Sequence, residues 1–479
     1  MAKNLIGNKW LDSQDGKVIT ITNPATGEVI DTVPESTQKD CDTAVQVAKK
    51  AQKLWEKKPL HERADILMKF VSLVERDKDS LAKLLSDETG KTITEAYGEI
   101  GNVRIGVTAF VEKAKHEYGN MIPAGQEKGN ENTLQYTYQA PIGVVVAIIP
   151  FNFPSDLFCQ KIPPALLMGN SVIIKPSPHN PLTLTKYAEL LLEAGVDEGV
   201  VNVINGTGGY AAQALAANPG VSLVTLTGAT TSGVETMRTC SNNLTHIMLE
   251  LGGNDAFILD RDGDVDLAVE ETIWGRFYNT GQVCCASKRF LIHNSVKKQY
   301  IKKLKERLSK LKRGMPSDPT SELGCLVSEE AAIKVEGQVN ETIAEGATVV
   351  YGGKRDRAFY DPTIIDNVTK DMSVAKDMEI FGPVVPIIGF DDINEAIKIA
   401  NQSSFGLCGC IFSRDMNNAM KIAGKLECGG VIINGASFFR SFEMPFGGWK
   451  HSGIGNEGVM TTLKEMSRTK TVILKNILK

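Results

Sequence analysis

The stretch GVVVAII, residues 143–149, is the most apolar run in the chain and lies between Pro141 and Pro150. It is far too short to span a bilayer, and prolines bound it at both ends, so it reads as a buried strand. Working downstream, a helix is expected near 158–168, then a strand in SVIIKP and a helix in LTLTKYAELLLEAG. VVNVING, a Gly-rich turn, the helix YAAQALAAN and the strand SLVTLTG follow. Strands alternating with helices argue for a parallel, doubly wound α/β sheet. A second βα region opens near 249 with MLELGGNDAFIL and runs to about 430.

Upstream, residues 38–117 carry apolar positions at three-to-four spacing, as in KDCDTAVQVAKKAQKLWEKK, and are expected to be mostly helical. Residues 120–139 are polar with alternating character and read as a protruding hairpin. The tail SRTKTVILKNI also alternates, adding a strand to that hairpin or to a neighbouring subunit. A chain of 479 residues exceeds one simple core, and two or three domains are expected.

The net charge of −4 supplies no basic field for nucleic acid or anionic membrane. The start, MAKNLIGNKW, lacks the apolar run of a signal peptide, and 9 cysteines in no regular framework suit a reducing compartment; a cytoplasmic location is expected. No C-x-x-C pair occurs and the 6 histidines are scattered singly, so no metal site is expected.

Gly206-Thr-Gly208-Gly209-Tyr-Ala211 has the G-x-G-x-x-A spacing between a strand and a helix, which suits a dinucleotide turn. The acid that should follow about 20 residues on is missing from TLTGATTSG, so the standard ribose contact is unsupported. A tight turn without ligand and a direct phosphate contact stay equally open.

FYNTGQVCCASKR, residues 277–289, places Cys284 and Cys285 side by side. Together with IIPFNFP (148–154), MLELGG (248–253), EIFGPV (379–384) and MPFGGWKHSGIGNEG (444–458), it resembles the NAD(P)-dependent aldehyde dehydrogenases. The matches run in the family's order through nearly the whole chain. The resemblance implies the aldehyde dehydrogenase fold, with two doubly wound parallel-sheet domains plus a small β oligomerisation arm. Residues 1–119 and 140–248 would bind the dinucleotide, 249–430 would form the catalytic domain, and 120–139 with 460–479 the arm and tail strand.

The chemistry accounts for those residue types. A thiolate turns an aldehyde into a thiohemiacetal able to expel hydride and leave a thioester. The resemblance makes Cys284 that nucleophile, Asn152 and the Cys284 N–H the oxyanion donors, and Glu250 the base that activates water on the thioester. Glu250 sits among apolar neighbours, which favours a raised pKa. Acylating relatives, which pass the acyl group to coenzyme A, usually lack this base. Cys285 reads as a packing neighbour, with a redox role as the lesser alternative.

For NAD or NADP the resemblance points to Lys175, Ser177, Pro178, Gly208, Thr227, Gly228, Ala229, Leu251, Glu379 and Phe381. Ala229 departs from the family's serine, so one phosphate hydrogen bond is lost or supplied by backbone. Pro178 stands where NAD-preferring members often carry a glutamate; it neither accepts a 2′-hydroxyl nor repels a 2′-phosphate, so use of both cofactors is expected. For the substrate, Arg440 in FFRSFEMPFGG is expected to grip the polar end of a short semialdehyde or hydroxyaldehyde, such as succinate semialdehyde or lactaldehyde. Arg104 is an alternative cation. Val283, where glyceraldehyde-3-phosphate relatives tend to have arginine, counts against a phosphorylated substrate. Phe151, with Phe438 and Phe439, could instead line an aromatic-aldehyde pocket, and a non-catalytic scaffold of the same fold is the outlying alternative. A homodimer or homotetramer is expected, with no nucleic-acid or membrane partner.

Overall fold

The computed structural model describes residues 2–476. GVVVAII forms the buried strand Val144–Ile148. Its successive side chains point to opposite faces. Val145 and Ala147 join an apolar cluster with Phe70, Phe110, Phe158 and Leu191. Val144 and Val146 join a second one with Ala44, Ala48, Ile173 and Leu215. Both faces are covered by helices, which is why the run is apolar without alternation. Each fully buried valine here contributes roughly 1.5–3 kcal/mol.

Around this strand the parallel order is Val201–Val203, Ser171–Lys175, Val144–Ile148, Leu223–Thr227, His246–Glu250. The chain reverses its direction of travel between the 144–148 and 223–227 strands. The crevice beyond their carboxyl ends is where doubly wound sheets take ligands. Asn4–Ile6 and, outside it, Lys9–Leu11 extend one edge and Gly453–Ile454 the other, all antiparallel to their neighbours. The last parallel strand runs through Glu250, so this sheet extends past residue 248, where the sequence placed the boundary.

The second sheet runs Thr348–Tyr351, Thr363–Val368, Val384–Phe390, Ser287–His293, Asp255–Leu259, Cys408–Phe412, Gly430–Ile433. Only its first strand is antiparallel. The segment expected to be helical holds Gln38–Trp55, Leu60–Arg76, Lys78–Thr89 and Ile93–Ala114. Capping boxes at Thr37/Asp40 and Thr92/Glu95 start the first and last of these.

A third sheet joins Met121–Ile122, Thr133–Pro141 and the tail strand Ser467–Lys475. The tail pairs from Ser467 opposite Pro141 to Lys475 opposite Thr133, so it adds to this chain's own hairpin. Residues 477–479 of the expected tail lie outside the described residues. Among the described residues no helix is long and apolar enough to cross a membrane, and no group of three or more His, Cys, Asp or Glu could hold a metal ion.

Candidate active site

The loop after the 144–148 strand carries Asn152 into the interior, where it is buried. Its amide Nδ2 donates to the Gln282 carbonyl at 3.1 Å, two residues before Cys284. Its own carbonyl accepts from Lys91 Nζ at 2.8 Å and from Asn279 Nδ2 at 3.0 Å. Lys91 is fully buried and paired with Glu99, whose other oxygen accepts the Ser155 N–H at 2.7 Å. Asn152 is therefore held from both sides.

The chain approaching Cys284 is bent through three left-handed residues, Asn279 (φ 50°), Thr280 (φ 55°) and Gly281 (φ 77°). Such conformations cost of order 1 kcal/mol or more each at the two non-glycine positions. Glu95 holds the bend by accepting the Asn279 N–H at 2.7 Å. A Cβ at Gly281 would lie 2.3 Å from the Gly382 carbonyl oxygen, so this turn and the EIFGPV turn require each other.

Cys284 is half-buried and Cys285 buried. A hydrogen bond from the Cys285 thiol brings the Cys284 thiol down to about 7, helped by the Lys288 and Arg440 charges and opposed by burial. The same hydrogen bond, with burial, pushes Cys285 well up. One cysteine is thus poised as thiolate and its neighbour stays protonated. Lys288, fully buried, donates to the Cys284 carbonyl and pairs with Glu379 at 3.2 Å.

Glu250 ends its strand buried, with Oε2 lacking any hydrogen-bond partner. Burial first, then the Glu457 charge, pushes its carboxyl well above the usual range, against Arg440 and Lys161. Glu457 is clamped by Lys161 and by Arg440 Nη2 at 2.9 Å. Despite burial, those two cations hold it below the ordinary glutamate value.

Cys284, Asn152 and Arg440 line one cavity of about 250 Å³. Its walls are Phe153, Trp274, Tyr278, Phe438 and Phe442, with Val283 and Leu157. Polar groups enter from Asn102, Asp156 and Gln160. Phe151 does not line it, contrary to expectation. That ring turns toward Phe381 (6.0 Å between centroids) and His179 (5.9 Å), and Phe153 takes the wall. Phe439 is half-exposed, and Arg104 lies on the exposed face of its helix while Asn102 faces the cavity.

The cofactor candidates gather at the crevice of the first sheet. Lys175 Nζ, fully buried, donates to the Pro176 and Gly206 carbonyls at 2.8 Å each and has no carboxylate partner among the described residues. Desolvation lowers it to about 8. Gly206 (φ 156°) makes the turn into the helix Gly208–Ala217. Thr227 Oγ1 is buried without a partner beside Gly228, whose N–H donates to the Glu250 carbonyl at 3.0 Å. Ala229 is exposed at the start of the helix Thr230–Ser241 and offers no side-chain cap. Leu251 packs with Leu226 and Leu249 beneath that helix. Ser177 Oγ accepts the His179 N–H at 3.2 Å, and Pro178 borders a separate polar cleft with His179 and Glu330. A buried ammonium with no carboxylate partner among the described residues, an orphaned hydroxyl and the Glu379 carboxylate fit a group bearing ribose hydroxyls and phosphates.

Residues 10–472 match the aldehyde dehydrogenase family. The chain belongs to that family. This aldehyde dehydrogenase is 38% identical to the 3-sulfolactaldehyde dehydrogenase of Priestia megaterium, over 95% of this chain and 94% of that one. It is 36% identical to the NADP-dependent succinate-semialdehyde dehydrogenase of Escherichia coli, over 95% and 94%. To the lactaldehyde dehydrogenase of Methanococcus vannielii it is 36% identical, over 98% and 100%. Among solved structures it resembles a succinate-semialdehyde dehydrogenase from Burkholderia pseudomallei, with TM-score 0.96, 34% identity and 99% and 98% of the two chains covered. A glyceraldehyde-3-phosphate dehydrogenase from Bacillus halodurans, complexed with NADP, gives TM-score 0.96 at 35% identity over 99% of both chains. The α/β architecture is that of the family, and the enzyme is an NAD(P)-dependent oxidoreductase acting on aldehydes.

Lys91, Glu95, Lys161 and Lys288 escaped the sequence reading. Lys161 did leave a trace, as a lone cation within the apolar helix PSDLFCQKIPPALL. Lys91 and Lys288 sit among other polar residues and gave no such signal.

Proposed function

We propose that the enzyme oxidises a short semialdehyde or hydroxyaldehyde, of the succinate-semialdehyde or lactaldehyde kind, to its carboxylic acid. The observation that carries this is the shared cavity, in which Arg440 faces the same space as Cys284 and Asn152. The Cys284 thiolate attacks the aldehyde carbon, and the oxygen takes hydrogen bonds from the Cys284 N–H and Asn152 Nδ2. An asparagine amide has two N–H donors, so the one bound to Gln282 leaves the other for the oxyanion. Lys175, Thr227 and Glu379 would hold NAD or NADP, which would supply the hydride acceptor. Glu250, once deprotonated, removes a proton from water as it attacks the thioester, and the acid leaves with Cys284 restored as thiolate. With Pro178 in place of an acid, both cofactors are accepted.

A second reading, an aromatic aldehyde of the benzaldehyde type, is favoured by the five aromatic walls of the cavity. Measuring kcat/KM for succinate semialdehyde, lactaldehyde and benzaldehyde with each cofactor separates the two. Turnover of benzaldehyde alone would reject the first reading. Its site roles predict that Cys284→Ala abolishes NAD(P)H formation with every aldehyde.

The same reading makes the enzyme a homodimer or homotetramer through its third sheet. Tyr136, Tyr138, Ile473 and Leu474 on that sheet are exposed apolar side chains of the sort that subunit contacts cover. A cytoplasmic location is supported by nine cysteines that are all unpaired.

A further inference from the structure

Three of the sequence motifs meet at one ammonium. Lys288 lies at the start of the strand Ser287–His293, in the same motif as Cys284, and its side chain is 1% exposed. Its Nζ donates to the Cys284 carbonyl and pairs with Glu379 Oε1 at 3.2 Å, 5.8 Å from the centre of the Phe381 ring. The MLELGG turn closes in from a third side. Gly253 N–H donates to the same Glu379 oxygen at 3.3 Å, and a Cβ on Gly253 would lie 2.8 Å from the Cys284 carbonyl oxygen. A Cβ on Gly252 would lie 2.7 Å from Glu379 Oε2. The turn, the thiol loop and the Glu379 carboxylate are packed against one another, and Lys288 bonds to the last two.

The groups facing the Cys284 thiol show what that ammonium does there. They are Cys285, Lys288, Arg440, Glu379, Glu250, Asp255 and Cys408. The hydrogen bond to Cys284 pushes Cys285 well up, and burial does the same to Cys408 and Glu250 and raises Asp255 to about 8. Those four are therefore largely neutral near pH 7. Arg440 is matched by Glu457. What remains is the Lys288–Glu379 pair, with its positive end on the Cys284 loop and its negative end 23% exposed. A lysine is almost never fully buried unless paired, and this one takes its counter-charge from the carboxylate assigned above to the cofactor.

We propose that Lys288 is a positioning residue for the reaction. It holds the Cys284 carbonyl and the Glu379 carboxylate in one register, favouring the thiolate on one side and fixing the cofactor's carboxylate on the other. This rests on the reading of Cys284 as nucleophile and Glu379 as a cofactor group.

The first test is alkylation of Cys284 by iodoacetamide in the full-length, cofactor-free enzyme, followed on the Cys284 peptide from about pH 5.5 to 9.5. In Lys288→Met and Lys288→Gln the midpoint should move up and the rate near pH 7 should fall about fivefold. Glu379→Gln should move it the other way, and Lys288→Met/Glu379→Gln should lie between the two single variants. Lys288→Gln keeps an N–H for the Cys284 carbonyl and loses the charge, so it gives the readout if Lys288→Met does not fold. A midpoint unmoved in both Lys288 variants overturns the proposal, as does a double variant no closer to wild type than Lys288→Met.

The second test is calorimetric binding of NADP to the same proteins. Glu379→Gln should weaken it about tenfold, and Lys288→Met about threefold, the cost of ordering one loosened side chain on binding. In the Glu379→Gln background Lys288→Met should add nothing, because the two act as one unit. Binding weakened by Glu379→Gln but untouched by Lys288→Met confines Lys288 to the thiol loop and overturns the shared register. Binding unchanged in Glu379→Gln rejects Glu379 as a cofactor group, and the proposal falls with that reading.

Discussion

Two regions of the molecule each bury a glutamate, and the two are driven in opposite directions. At the end of the strand His246–Glu250, Glu250 has one oxygen without any partner and is pushed far up by burial. In the C-terminal segment 444–458, Glu457 has one oxygen on Lys161 and the other on Arg440, and lies below its ordinary value. Both are buried, so burial does not set the sign. The difference is two cations within contact distance. Glu250 is left basic enough to take a proton, whereas Glu457 is a fixed counter-ion whose charge adds to the rise at Glu250.

The sharpest way to break this contrast is at Glu250. Glu250→Gln should lower steady-state turnover by about 10²–10⁴-fold, the range for losing a positioned base. The first turnover should survive as a burst of NAD(P)H, because attack by Cys284 does not need the base. Equal loss of burst and steady state would place the role of Glu250 before the thioester.

A smaller effect is expected from removing a cation on the other side. Lys161→Met leaves Glu457 with one partner and should cost about 3–5 kcal/mol, as breaking a buried pair does. The double variant Lys161→Met/Glu457→Gln should recover part of that loss, because no unpaired charge remains. Thermal melting of the two variants decides it: a double variant melting below the single one would mean the pair is held for packing alone.

The smallest effect lies in the cysteine doublet, where the same principle operates through one hydrogen bond. Alkylation of Cys284 should rise with pH through about 7, since only the thiolate reacts. Cys285→Ala removes the thiol donor, so the midpoint should move up and the rate at pH 7 should fall about threefold or more. An unchanged profile would assign the lowered value to Lys288 and Arg440 alone.

Much of this is legible in the sequence. GVVVAII announced a buried strand because a short apolar run bounded by prolines leaves no polar side to face water, and the structure then showed helices over both of its faces. The hairpin at 120–139 and the alternating tail announced themselves through period-two patterning, although which chain the tail joins was left open. Cys284, Asn152 and Glu250 were named because local motifs surround them, but the motif did not say which phenylalanine of PFNFP would face the cavity. Phe153 does and Phe151 does not, since the turn before the helix sets each direction.

By itself, the sequence determined the alternation of strands and helices, the family and the identities of the candidate thiol, amide and carboxylate. These are written in neighbouring residues, and periodicity or a short motif is enough to read them. Only the tertiary structure decided the surroundings that tune them: Lys91 behind Asn152, Lys288 behind Cys284, and Lys161 and Arg440 around Glu457. The reason is electrostatic. A buried group's proton affinity and its hunger for a hydrogen bond depend on charges and donors within a few ångströms, and most of those arrive from distant parts of the chain.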